Sequence, residues 1–231
     1  MAEQILIVDK EPNTVNAVRN NLEQTGYKVM TTPNAETALN IIQRRLPDLI
    51  LLDPILPGMD GFTFCKHLRQ ENRTQDVPIC VLSAQNDEIN RVLAFELGVD
   101  DYLTKPFSLR ELVLRIRIIL KRKQKQHTQP QSRLTYGAFS IDKSAHEAFL
   151  HNHPLSLTVI EFQLLTTLME RIGRVQTRED LLNAVWGYEH TGNGRMVDAH
   201  IRRMRSKLGK AQSMIRTVRG VGYCFTPDNP S

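Results

Sequence analysis

Cysteine is scarce in this chain, three in 231 residues, and Cys65, Cys80 and Cys224 lie too far apart to form a metal-type pair. That excludes a disulfide-stapled secreted module and a zinc ribbon, and leaves reduced packing residues. No apolar run approaches the roughly 18 residues of a membrane-spanning helix. The N-terminus carries no signal-peptide pattern either. The expectation is a cytoplasmic protein without membrane contact.

Acids are missing from one stretch. Residues 121–133, KRKQKQHTQPQSR, hold 5 Lys and Arg and no Asp or Glu, against 13 and 16 in residues 1–120 and 12 and 9 in residues 134–231. The basic excess therefore belongs to the second half and the segment before it, which favours an anionic partner there. That segment is polar and nearly free of apolar residues, so it reads as a flexible tether over 123–133. Solubilisation and DNA contact both remain open for its lysines. At 231 residues the length suits two domains, expected at 1–122 and 134–231.

What is present in the first half is an alternation of apolar strands and amphipathic helices, the pattern of a doubly wound α/β sheet. Leu49-Ile50-Leu51-Leu52 ends on Asp53, Ile5-Leu6-Ile7-Val8 on Asp9-Lys10-Glu11, Ile79-Cys80-Val81-Leu82 on Ser83, and Tyr102-Leu103-Thr104 on Lys105. In a parallel sheet these ends share one edge, where ligands bind. Asn34 and Ser108 read as helix caps, the latter in a capping box with Glu111. Helices are expected over 60–70 and 87–97.

The second half opens with short alternating segments, Leu134–Ile141 and Ala148–Leu150, expected to form a small antiparallel sheet. Thr158–Glu161 and Thr177–Asp180 are further capping boxes. After a polar loop with Gly187, Gly192 and Gly194, a helix over Arg195–Leu208 places Val197, Ile201, Met204 and Leu208 on one side. Arg195, Arg202 and Arg205 fall on the other, with His200 and Arg203 on the flank. Ile215–Phe225 reads as a hairpin turned by glycine. Two helices and a hairpin make a winged helix-turn-helix of α+β class, and its basic stripe suits the major groove of double-stranded DNA.

An aspartate, an acid cluster, a hydroxyl and a lysine at four strand ends, followed by a winged helix, resemble the OmpR/PhoB family of response regulators. The resemblance implies that Asp53 accepts a phosphoryl group from a sensor histidine kinase. It also implies that Lys105 pairs with that group, that Ser83 donates its hydroxyl to it, and that Tyr102 reorients with Ser83. Asp9, Asp53 and the main-chain oxygen of Ile55 would ligate Mg2+. It further implies DNA contacts by residues matching Arg195, His200, Arg202, Arg203, Arg205, Thr217 and Arg219. A homodimer through Arg91, Glu96, Asp100, Asp101, Glu111, Arg115 and Arg117 is implied too, with RNA polymerase as a further partner.

Lys10 departs from the family pattern, which has a second metal-binding acid there. An ammonium cannot ligate and repels a cation, so Mg2+ affinity should fall. Either Lys10 pairs with Asp53 and fixes the pocket charge without metal, or it turns to solvent while Asp9 and Glu11 hold a displaced ion. The first is expected. Pro54 removes a backbone N–H beside Asp53. A haloacid dehalogenase-like phosphatase would place an acid where Ile55 stands. A flavodoxin-like cofactor binder would need a phosphate-cradling loop that the strand ends lack.

Overall fold

In the computed structural model the described residues are 2–84, 88–124, 133–187 and 194–226, with residues 121–124 described by backbone alone. The chain divides into two compact units, Met1–Leu120 and Lys121–Ser231. Most of the basic tether lies outside the described residues, as do Asp87 and most of the polar loop before Arg195.

In the first unit, β1 (Gln4–Val8), β2 (Lys28–Thr32), β3 (Leu49–Leu52), β4 (Ile79–Ser83) and β5 (Asp101–Thr104) alternate with α1 (Pro12–Gln24), α2 (Ala35–Arg44), α3 (Gly61–Gln70), α4 (Glu88–Glu96) and α5 (Leu109–Gln124). The sheet order is β2-β1-β3-β4-β5, all parallel. Every residue of β1, β3 and β4 is buried, which is why these strands read as continuous apolar runs rather than alternating ones. The chain reverses direction across the sheet between β1 and β3, so a crevice opens at their carboxyl ends. Register fixes what meets there: Val8 pairs with Leu52, and the Asp53 N–H donates to the Val8 carbonyl at 2.8 Å. Asp9 and Asp53, one residue beyond that pair, are therefore neighbours.

Local chemistry sets the element ends. Asn34 caps α2 by accepting from the Thr37 N–H, and Asp60 caps α3 by accepting from Phe62 and Thr63. A side chain at Gly61 would lie 2.7 Å from the Pro54 Cα, so only glycine lets α3 start against the β3–α3 loop.

The second unit begins with a four-stranded antiparallel sheet, β6 (Arg133–Tyr136), β7 (Phe139–Asp142), β8 (Glu147–Leu150) and β9 (His153–Pro154). The run expected over 134–141 is thus two strands, divided at Gly137 with φ 56°. Helices α6 (Val159–Glu170), α7 (Arg178–Trp186) and α8 (Arg195–Leu208) follow, then a 3-10 turn and the hairpin β11 (Ile215–Val218) and β12 (Gly222–Phe225). Both Thr-led capping boxes of α6 and α7 form. A short strand β10 (Gln176–Thr177), unforeseen from sequence, pairs with β12. A Cβ at Gly222 would meet the Gln176 oxygen at 2.0 Å, so glycine is obligatory at this crossing.

Candidate functional site

At the crevice of the first unit, Lys105 bridges two carboxylates. Its Nζ lies 2.6 Å from Oδ2 of Asp53 and 2.9 Å from Oδ2 of Asp9, with Oε2 of Glu11 at 3.5 Å. The remaining oxygens are also engaged: Oδ1 of Asp53 accepts from the Ile55 N–H at 2.7 Å, and Oδ1 of Asp9 from the Glu11 N–H at 2.9 Å. Burial alone would lower the pKa of Lys105, but its hydrogen bonds to Asp53 and Asp9 and their charges outweigh that and hold it above its ordinary value. Ser83 is fully buried on β4, and the Lys105 N–H donates to its carbonyl at 2.7 Å. Tyr102 is buried against Phe95, with ring centroids 6.5 Å apart. Asp53, Asp9 and Lys105 are thus one hydrogen-bonded cluster, with Ser83 and Tyr102 on the strands next to it.

The expected Lys10–Asp53 ion pair is corrected. Lys10 is exposed, and the ammonium on Asp53 belongs to Lys105. The reason is position: Lys10 stands past the end of β1, in the bend before α1, where its side chain meets solvent. Among the described residues no three His, Cys, Asp or Glu side chains are arranged to hold a metal ion. The donor chemistry still fits Mg2+, which commonly takes one or two carboxylates and completes its shell with water. Asp9, Asp53 and the Ile55 main-chain oxygen would hold it.

The basic face of α8 is narrower than its sequence suggests. Arg195 and Arg202 are exposed, as is Arg219 at the hairpin turn beside Gly220, φ 74°. His200 is corrected: it is fully buried, its ring 5.5 Å from that of Trp186. It stands three residues after Val197 and four before Met204, which puts it within the apolar stripe. Arg203 leans inward, 3.5 Å from the buried Glu161 of α6, and Lys207 reaches the same carboxylate at 2.6 Å. Arg205 and Thr217 are joined to each other at 2.8 Å, and Arg205 also donates to the Ile215 carbonyl.

Asp198 was legible in the sequence as the sole acid of this helix, but its partners Arg178 and Tyr223 were not expected at this face. Oδ1 of Asp198 accepts from Arg178 Nε at 2.8 Å and from the Tyr223 hydroxyl at 2.6 Å.

The expected dimer face is also revised. Asp100 is buried, with Oδ2 accepting from Arg69 at 3.1 Å and from the Ile79 N–H at 2.8 Å. It ties α3 to the sheet and has no free surface to offer. Arg117 lies near Tyr27, beside α1, close enough for its charge to act on the Tyr27 hydroxyl. Residues two apart on a helix do not share a face, so Arg115 and Arg117 diverge. Arg115 binds Asp101 at 3.1 Å and Glu111 at 2.7 Å within the same chain. Arg91 and Glu96 are half-buried on α4, near the exposed Ile89 and Leu93 of that helix.

Known proteins share both halves. Residues 5–117 match the response regulator receiver domain, and residues 152–225 match the family described as transcriptional regulatory protein, C terminal. The alkaline phosphatase synthesis transcriptional regulatory protein PhoP of Bacillus subtilis is 40% identical, with 96% of each chain covered. The phosphate regulon transcriptional regulatory protein PhoB of Escherichia coli is also 40% identical, over 98% of this chain and 99% of its own. Among solved structures, a mutant of RitR superposes with a TM-score of 0.76 at 32% identity, covering 97% and 99% of the two chains. DrrB of Thermotoga maritima, an OmpR/PhoB homologue, gives 0.52 at 30% identity over 98% and 100%. No helix among the described residues is long and apolar enough to cross a membrane. Neither a phosphatase nor a cofactor-binding enzyme accounts for the match over residues 152–225, and the chain belongs to the OmpR/PhoB family of DNA-binding transcriptional response regulators.

Proposed function

We propose that Asp53 is the phosphoacceptor of this regulator and that a sensor histidine kinase supplies the phosphoryl group. The observation that carries this reading is the single ammonium of Lys105 held between the buried carboxylates of Asp53 and Asp9. An oxygen of Asp53 bonds to phosphorus as the bond from phosphorus to the kinase histidine nitrogen breaks. That nitrogen keeps the electron pair and takes up a proton from water. Lys105 then turns its charge from the carboxylate to the new phosphoryl oxygens, and Ser83 donates its hydroxyl to one of them. Mg2+, when bound by Asp9, Asp53 and the Ile55 main-chain oxygen, supplies further positive charge against those oxygens.

The output follows from α8 and the hairpin. Arg195 and Arg202 face the DNA from the helix, and Arg219 reaches a neighbouring groove or phosphate from the wing. The receiver pairs two-fold through the α4–α5 side, using Arg91, Glu96 and Glu111 with the exposed Ile89 and Leu93. That brings two winged helices to adjacent half-sites. The setting is cytoplasmic, and RNA polymerase is the partner that promoter control calls for.

Intact mass after incubation with a small phosphodonor and Mg2+ tests the phosphoryl reading. One added phosphate on the wild type that Asp53→Asn lacks supports it. A wild type that stays unmodified while Lys10→Asp is phosphorylated points to a second reading, in which the same DNA binding runs without phosphorylation. The outward Lys10, standing where the family has an acid, is what keeps that reading in view.

A further inference from the structure

We propose that Asp198, the one acid of the DNA-facing helix, is a positioning residue that fixes the wing against α8, so that helix and wing engage DNA as a unit. This rests on the assignment of α8 and the hairpin as the DNA interface. A carboxylate on a surface meant for phosphates is electrostatically adverse, since each one repels the backbone that the arginines attract. Its presence there calls for a compensating role, and the contacts supply one.

Asp198 joins three elements through one oxygen. Oδ1 receives Arg178 Nε from the start of α7 at 2.8 Å and the Tyr223 hydroxyl from β12 at 2.6 Å. The guanidiniums of Arg178 and Arg205 lie 5.3 and 5.4 Å from the centre of the Tyr223 ring, one from α7 and one from α8. Arg205 continues the chain to β11 through the Ile215 carbonyl and the Thr217 hydroxyl. Both strands of the hairpin are therefore tied to α8, β12 through Asp198 and β11 through Arg205. Arg219 sits in the turn between them.

Two further observations point the same way. A Cβ at Gly194 would come within 3.1 Å of the Arg178 side chain, so α8 begins pressed against the arginine that Asp198 holds. Beside this network a cleft of about 640 Å³ opens, lined in part by Asp198, Arg202, Arg205 and Tyr223. Its walls come from both α8 and β12. The ties of Asp198 and Arg205 add to the β10–β12 pairing in setting where Arg202 and Arg219 stand relative to each other. Burial, the Asp198 hydrogen bond and its charge push the Tyr223 hydroxyl up to about 12, so the phenol stays a donor to Asp198 across the working pH range.

The sign of the expected effect separates this role from simple electrostatics. Removing an acid from a DNA-facing helix should tighten binding to any duplex. Loss of a positioning residue should weaken binding to the cognate site. The experiment uses the full chain, a duplex selected by the wild type from a random pool, and a scrambled duplex, with affinity measured over a range of salt. Asp198→Asn should weaken the selected duplex by about tenfold, the scale of a lost charge-assisted hydrogen bond, and weaken the scrambled one less. Arg219→Ala should then cost less in the Asp198→Asn background than in wild type, because a wing no longer held in place contributes less. Tyr223→Phe removes only the hydroxyl and should give a smaller loss with the same reduced coupling; it decides the matter if Asp198→Asn fails to fold by circular dichroism. Selected-duplex binding by Asp198→Asn that is unchanged or tighter, with Arg219→Ala fully additive, overturns the proposal. If Arg202→Ala and Arg219→Ala themselves leave binding intact, the interface assignment is what has failed.

Discussion

The Nζ of Lys105 lies 2.6 Å from Oδ2 of Asp53 while also holding Asp9, so one cation neutralises part of a buried pair of like charges. Removing it should be costly. Lys105→Met leaves two carboxylates with 1% and 7% of their side-chain surface exposed and no counter-charge. Stripping one partner from a buried ion pair costs about 3 kcal/mol. Urea unfolding at pH 7 should show a loss of that order. Asp9→Asn added to Lys105→Met should recover part of the loss, because it removes one of the two like charges. No recovery would mean that lost packing, not charge, is the cause.

Lys10→Asp is expected to raise Mg2+ affinity by about tenfold or more, since it exchanges a repelling cation for a third carboxylate beside Asp9 and Asp53. Titration calorimetry on the full chain reads this directly. Asp53→Asn in the same background should reverse most of the gain. Equal affinities for wild type and Lys10→Asp would show that the outward Lys10 does not influence the pocket.

How far the sequence revealed this molecule depends on the scale asked of it. The doubly wound sheet was legible because β1, β3 and β4 each carry a continuous apolar run of four residues, and the meeting of Asp9, Asp53 and Lys105 followed from the shared edge of parallel strands. The direction of individual polar side chains was not. His200 and Arg203 were expected to contact DNA from the family resemblance, and helical spacing placed them only on a flank. Trp186 drew one inward and Glu161 the other. Asp100 looked like surface charge until Arg69, 31 positions earlier, was seen to reach it. The pairing of β10 with β12 was equally hidden, because two residues are too few to show a period.

Glu161 supplies a prediction about the helix it underlies. The carboxylate is fully buried, closes the α6 capping box by accepting from the Thr158 N–H at 2.9 Å, and holds Arg203 and Lys207 of α8. Glu161→Gln keeps the shape but leaves two cations without their counter-charge. A loss of about 3 kcal/mol in stability is expected. Lys207→Met added to Glu161→Gln should recover part of it, since a cation no longer has to be accommodated there. Full additivity of the two losses would show that Lys207 and Glu161 do not interact in solution.

His146 gives the second unit a defined acid sensitivity. Its ring packs on Phe162 with centroids 3.7 Å apart, its Nε2 has no hydrogen-bond partner among the described residues, and burial lowers its pKa from 6.5 to about 4. Between those values the unfolded chain binds a proton that the folded one refuses, so stability falls as pH drops from 6.5 towards 4 and levels off below. Allowing for partial exposure, the loss should be on the order of 2 kcal/mol. His146→Asn should flatten this segment of the profile, because asparagine tolerates the residue's φ of 55° and does not titrate. Thermal unfolding of the winged-helix unit within the full chain, followed from pH 7 to pH 4, checks it. Parallel curves for wild type and variant would place the acid sensitivity in another group.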